Sequence, residues 1–191
     1  MFLSREKVSC RRYKMDEQKR KLYRGTLCVV RREDDRYLMR LETQGINKGC
    51  WIFPGGDYEI LQDGTRTEFS AECAIRETQE EMGITPLNPK LRALIYFDNR
   101  KRIFPGKREV ANFDYQAAYF CSHDFEGEFR KTGPEGNKQG AFTYEEATKL
   151  PMHPGDLKIL DALTRMPLHH VFEGVVVHNG LSLESADFLA V

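Results

Sequence analysis

The stretch from Glu68 to Gly83 constrains this chain more than any other, because its apolar and acidic residues separate cleanly only on a helix. At about 100° per residue, Ala71, Ala74, Ile75, Thr78 and Met82 fall on one stripe suited to packing on a sheet. Glu77, Glu80 and Glu81 gather on another face at i, i+3 and i+4 spacing. Like charges so placed repel, at roughly 0.2–0.5 kcal/mol per pair. The pattern predicts a helix with Thr67 as N-cap, running to Met82, with Gly83 as its C-terminal stop. No Lys or Arg is interleaved on the carboxylate face; Arg76 stands on its edge, where Glu72 at i−4 is the expected partner.

Three clustered carboxylates without a cation of their own have two readings. One is a solvated acidic face. The other is a site for a hard divalent ion, Mg²⁺ or Mn²⁺, which takes oxygen ligands and shares its sphere with substrate phosphates and water. Such an ion polarises a phosphoryl oxygen and lowers the pKa of water, and a remaining glutamate can orient or deprotonate the attacking water. The Pro54-Gly55-Gly56 loop upstream favours the second reading.

Around this helix the chain alternates short strand and helix signals. Thr26–Val30 reads as a strand, with Tyr37–Leu41 as its neighbour across the polar turn Arg32–Arg36. Trp51-Ile52-Phe53 is a strand that Pro54-Gly55-Gly56 breaks. Strands are expected at Leu91–Phe97 and Asn112–Phe120, on either side of a basic turn, Asn99–Arg108. Asp124–Gly140 reads as loop, Tyr144–Leu150 and Asp156–Met166 as helices. Val171–Val177 and Leu181–Phe188 read as a hairpin on His178-Asn179-Gly180. Strands and helices mix without regular βαβ repeats, so the expected class is α+β, a mixed sheet between helices with a C-terminal hairpin. A basic arm, residues 1–21, precedes a single domain over 22–191.

A chain of 191 residues has room for one well-buried core. Its formal net charge of zero gives no general pull towards nucleic acid or anionic membrane. Cys10, Cys28, Cys50, Cys73 and Cys121 contain no CxxC pair, and no zinc set is completed. They are expected to be reduced thiols, two or three of them buried. With no run near the roughly 18 apolar residues of a membrane span, and no secretory signal in Met1–Lys21, the expected location is cytoplasmic.

From Glu68 onward the residues resemble the Nudix box, G-x5-E-x7-R-E-U-x-E-E-x-G-U. Glu68 is followed by seven residues, then Arg76-Glu77, Thr78 at the usually apolar position, Glu80-Glu81, Gly83 and Ile84. Upstream the chain departs: eleven residues separate Gly56 from Glu68 where the family has five, an insertion of about six. The resemblance implies the Nudix fold and a divalent metal held by Glu80 and Glu81, with Glu77 as ligand or water-activating base. It also implies a metal ligand in the Gly56 carbonyl, a structural Arg76 tied to Glu68, and a further metal ligand or base in Glu135 from a later loop.

Thr26-Leu27, Tyr37-Leu38-Met39, Ile46–Trp51, Asp124–Glu128 and the final hairpin are similar to the oxidised-purine nucleotide (8-oxo-dGTP) diphosphatases. That likeness implies a nucleotide as small-molecule substrate and places Thr26 and Ile52 near it, Ile52 standing where the subgroup can carry a base-reading Asn. Asp156, after His153-Pro154-Gly155, either reads the base or caps the following helix. Trp51 is either core or a stacking platform. Arg40 and Lys48 either meet phosphates or are solvated. The implied reaction is hydrolysis of a nucleoside triphosphate to monophosphate and pyrophosphate. The alternatives are another linked nucleoside diphosphate (ADP-ribose, a dinucleoside polyphosphate or an RNA cap) and a non-catalytic nucleotide-binding module. The basic arm and turn fit RNA, which is not the favoured partner.

Overall fold

A computed structural model describes residues 21–45, 47–59, 65, 67–102, 113–167, 169–180 and 182–191. Residues 1–20 of the basic arm, and residues 103–108 of the basic turn, lie outside the described residues.

The large sheet has six strands: β1 (Lys21–Val30), β4 (Gly55–Asp57), β6 (Lys90–Arg102), β7 (Phe113–Ser122), β10 (Phe172–Gly180) and β11 (Ser182–Ala190). Their order is β11-β10-β6-β7-β1-β4. The β1–β7 and β6–β10 pairs are parallel and the others antiparallel, so the sheet is mixed. A second sheet, β3-β2-β9, joins β2 (Tyr37–Leu41) to β3 (Trp51–Ile52) and β9 (Gln139–Phe142). A two-stranded ribbon pairs β5 (Ile84–Leu87) with β8 (Asp124–Gly127). The helices are α1 (Ser70–Met82), α2 (Tyr144–Ala147) and α3 (Pro154–Arg165).

Strand alternation gives the large sheet two buried faces. Cys28, Val30, Ala118 and Phe120 turn to α1 and meet Ala74, Met82 and Ile84. Val29, Ala117, Tyr119, Ala93, Ile95 and Phe97 turn the other way, to Ile159, Leu160 and Leu163 of α3. Trp51 belongs to this second core, edge-to-face with Phe142 at 4.8 Å; it is a core residue. Of the described cysteines, Cys28, Cys73 and Cys121 are free thiols, and Cys28 and Cys73 are buried.

Several sequence expectations change. Tyr37–Leu41 does not lie beside β1. One edge of β1 is taken by β7 along its whole length, and the other by β4 and the Pro54 carbonyl. Among the described residues, the bridge Arg31–Tyr37 links the residue after β1 to the start of β2, which builds the second sheet. The Asp124–Gly140 segment is not all loop: it holds β8 and the start of β9. The Pro54-Gly55-Gly56 break is itself the start of β4. Asn99–Arg102 extend β6 instead of turning. In the final hairpin Asn179 pairs with Ser182, so Asn179 is in the ladder.

Helix α1 begins at Ser70, not after Thr67. The Thr67 hydroxyl bonds the Glu59 carbonyl at 3.2 Å, and Glu72 closes the first turn by accepting the Phe69 N–H at 2.8 Å. Glu72 is thereby engaged away from Arg76. Thr78, at the usually apolar position, is fully buried because its hydroxyl donates to the Ala74 carbonyl one turn back, at 2.6 Å. Gly83 adopts the left-handed conformation (φ 73) that ends the helix.

Candidate active site

Helix α1 packs across β1 and β4, so one end of its carboxylate row faces the Gly55-Gly56 strand. The row is not uniformly solvated. Glu81 is buried, Glu77 is half-buried, and the Glu80 side chain is 55% exposed. Glu81 sits two turns after Ala74, at the margin of the packing stripe, which is why the sheet covers it.

Each acid is met by an arginine. Arg76 is the interleaved cation that the helical projection left at the edge. Its Nη1 bonds Glu77 at 2.6 Å and Glu80 at 3.2 Å. Its Nε and Nη2 hold Glu68 in a fork at 3.1 and 2.8 Å, and Nη2 also reaches the Asp57 carbonyl at 3.3 Å. Glu81 pairs instead with Arg40, brought in by β2, and accepts the Gly55 N–H at 2.9 Å. Arg40, 5% exposed, also pairs with Glu42 at 3.1 Å.

Burial raises the Glu81 carboxyl to about 7, with Arg40 and the Gly55 N–H pulling against the shift. Burial raises Glu77 as well, opposed by Arg76. Glu68 goes the other way: its hydrogen bonds with Arg76 lower it to about 2. A carboxylate depressed in the fold adds stability that is full above its unfolded value, near 4.5, and is lost as pH falls towards 2. Glu68→Gln is therefore expected to lower the melting temperature at neutral pH. The gap from the parent should close on acidification between about pH 4.5 and about pH 2. Thermal melts across that window check it; a gap that widens instead refutes the pairing.

Among the described residues, no three carboxylate, imidazole or thiol groups converge as ligands of one ion. The carboxylates turn onto Arg40 and Arg76 instead. The donor set nevertheless fits a hard divalent cation: three glutamates lie on one helix face, and a glycine strand approaches them closely. A Cβ on Gly56 would stand 2.5 Å from the Glu77 carboxylate, so a side chain there would push that carboxylate away from the strand.

The NUDIX domain family matches residues 21–163. The chain belongs to the Nudix family. Strands β10 and β11 lie beyond the matched region. An uncharacterized Nudix hydrolase, YvcI of Bacillus subtilis, is 30% identical over 144 residues, which cover 75% of this chain and 80% of that protein. The crystal structure of a mutator MutT protein from Bacillus halodurans superposes with a TM-score of 0.67 at 28% identity, covering 87% of this chain and 97% of that one. A MutT Nudix hydrolase from Burkholderia pseudomallei, at 22% identity and TM-score 0.56, covers 73% and 95% and shares the fold. This Nudix chain is a pyrophosphohydrolase acting on a nucleoside diphosphate linked to a further group.

Next to the acids lies a cavity of about 260 Å³, lined by residues that include Arg40, Ile52, Phe97, Asn99, Tyr115 and Asp156. Thr26 also borders it; its buried hydroxyl finds no hydrogen-bond partner among the described residues. Asp156 is not the helix cap: His153 takes that place, its Nδ1 accepting the Gly155 N–H at 3.2 Å. Asp156 is instead buried inside the first turn and accepts the Tyr119 hydroxyl at 3.0 Å. Lys48 is exposed and lines no described cavity; its neighbour Asn47 turns inward in the turn closed by the Cys50 N–H to Asn47 carbonyl bond. Glu135 lines an open neighbouring cavity together with Arg40, Glu42, Glu81 and Asn137. Its loop is held against the helix end where Gln139 donates to the Glu81 carbonyl at 3.0 Å. Sequence reading missed Asn99, Tyr115 and Tyr119; all three stand on long strands where alternation signals only core.

Of the basic turn, the described Arg100 is paired with Asp98, and Lys101 lies 3.5 Å from Glu184. No described helix is long and apolar enough to cross a membrane.

Proposed function

We propose that this enzyme hydrolyses the diphosphate linkage of a nucleoside triphosphate, with an oxidised purine (8-oxo-dGTP-like) base, in a reaction that depends on Mg²⁺ or Mn²⁺. The carrying observation is the cavity that ends on buried Asp156 and shares Arg40 and Glu42 with the space holding Glu81 and Glu135. It has room for one base with the phosphates directed to the glutamates. Glu77, Glu80, Glu81 and the Gly56 carbonyl would hold the metal, with Glu135 as a further donor from its loop. When bound, the ion neutralises the diphosphate and polarises its phosphoryl oxygens.

The chain's own groups do the rest. Glu77, raised by burial towards the range of a working base, takes a proton from the attacking water. Arg40 meets the phosphates at the cavity mouth, and Ile52 and Phe97 wall the base. Guanine carries an acceptor at N7, and its 8-oxo form carries an N–H there. A buried carboxylate such as Asp156 matches the donor and rejects the acceptor, since unpaired polar groups carry discrimination. Monophosphate and pyrophosphate leave.

The test is a substrate panel with Mg²⁺: 8-oxo-dGTP, dGTP, ADP-ribose, a dinucleoside polyphosphate and capped RNA. The expected kcat/KM for 8-oxo-dGTP exceeds that for dGTP by at least roughly 10²-fold, and Asp156→Ala abolishes most of the preference. Faster turnover of ADP-ribose or capped RNA would overturn the substrate assignment and leave the hydrolase chemistry standing.

A further inference from the structure

Three neighbouring strands, β7, β1 and β4, carry a contact that the chemistry above does not use. In β1, Gly25 stands opposite Asp57 of β4, and Tyr23 stands beside Tyr115 of β7. Tyr115 shares the parity of Ala117 and Tyr119, so its ring lies on the cavity face, where it lines the pocket. Its hydroxyl projects over Gly25 towards β4, beside the Gly56 carbonyl, and there interacts with the Asp57 carboxylate, two strands away. Strands are about 4.8 Å apart, so this link must cross β1, and it crosses at Gly25. A Cβ there would come inside 3.0 Å of both the Tyr115 hydroxyl and the Gly56 carbonyl oxygen. The absence of a side chain at residue 25 is thus what lets Tyr115 reach β4.

We propose that Tyr115 is a positioning residue that fixes the Gly55-Gly56-Asp57 strand from the cavity side, holding the Gly56 carbonyl and the Glu77 carboxylate in place for the divalent ion. The inference rests on the metal-site reading above. Strand β4 is three residues long and is held to β1 by three register pairs at the sheet edge, so its backbone ladder alone specifies its place weakly. On its other face, Gly56 lies against Glu77 and the Gly55 N–H holds Glu81. Tyr115 pins the opposite face of the same three residues. Because its ring also lines the nucleotide cavity, the group that sets the metal strand is one that a bound base touches.

The test measures Mn²⁺ affinity of the full chain by electron paramagnetic resonance without nucleotide. Supporting partners of metal ligands typically matter by 10–100-fold in affinity. Tyr115→Phe is expected to weaken Mn²⁺ binding by about tenfold. Asp57→Ala is expected to do the same, while Asp57→Asn, which keeps an acceptor, stays near wild type. The Tyr115→Phe/Asp57→Ala pair should lose no more than either change alone. Asp57 is exposed at the strand end, so its variants serve as the readout if Tyr115→Phe does not fold. Equal affinity of the single variants and wild type, or additive losses in the double variant, overturns the proposal alone. A wild-type protein that binds no Mn²⁺ overturns the metal-site reading and this proposal with it.

Discussion

Glu81→Gln and Glu77→Gln are each expected to lower turnover by about 10²–10⁴-fold, the range associated with losing a positioned acid or base, with the fold kept. Both carboxylates occupy defined places. Glu81 is buried between Arg40 and the Gly55 N–H, and Glu77 lies against the Gly56 backbone. Glutamine preserves the volume and one acceptor oxygen at each position, so packing survives. At Glu81 the new amide N–H₂ must face either the arginine or the Gly55 N–H, both donors. That mismatch costs on the order of 1–3 kcal/mol, which lowers the melting temperature without unfolding the protein. Steady-state rates with Mg²⁺, read beside thermal melts, separate the two effects. Near wild-type rates in both variants would place the chemistry elsewhere.

Arg40→Ala is the second large effect, and it falls on stability. Arg40 joins Glu81 and Glu42, and the three side chains are 6%, 9% and 18% exposed. Removing one partner from a buried pair leaves charge uncompensated, typically at about 3–5 kcal/mol. Without Arg40 the Glu81 carboxyl, already raised to about 7 by burial, rises further. For a carboxyl raised in the fold, the folded state binds more protons than the unfolded chain, so stability falls as pH rises through that window. The deficit of Arg40→Ala should therefore be largest near pH 8 and shrink towards about pH 6. Mg²⁺ should restore part of it, because an ion at the glutamates replaces one cation by another and binds only the folded state. Chemical denaturation at several pH values, with and without Mg²⁺, checks this. A deficit independent of both would mean that Arg40 acts only through packing.

The acidic helix was the most legible part of the chain. Residue spacing separates a packing stripe from Glu77, Glu80 and Glu81, and Gly83 ends the helix where the pattern predicts. The partners of those acids were much less legible. Arg76 reaches Glu77 and Glu80 because a long flexible arm is not confined to the direction of its Cβ, which a helical projection assumes. Arg40 lies far away in sequence and meets Glu81 only because β2 leaves the large sheet and folds against the helix end. Asp156 lines the cavity, and its local role was open in the sequence; the imidazole of His153 takes the cap and leaves the carboxylate to Tyr119.

Strands of three or four residues, such as β4, β5, β8 and β9, are too short to display alternation. Pro86, Gly55, Gly56 and Gly127 within them read locally as turns. Their pairing is set by neighbours already in place, above all by the long edges of β1 and β2. The contact of Tyr115 over Gly25 belongs to the same class: it exists only in the register of three strands, one of them arriving from ninety residues away in sequence.

The most direct measurement of the central claim is a crystal structure with Mn²⁺ and a non-hydrolysable nucleoside triphosphate, the metal located by its anomalous signal. The predicted result is Mn²⁺ coordinated by carboxylates from the Glu77, Glu80 and Glu81 row together with the Gly56 carbonyl, with Arg40 released from Glu81 and the base against Asp156. Manganese bound away from these groups, with the Arg40–Glu81 pair intact beside a bound nucleotide, would contradict it.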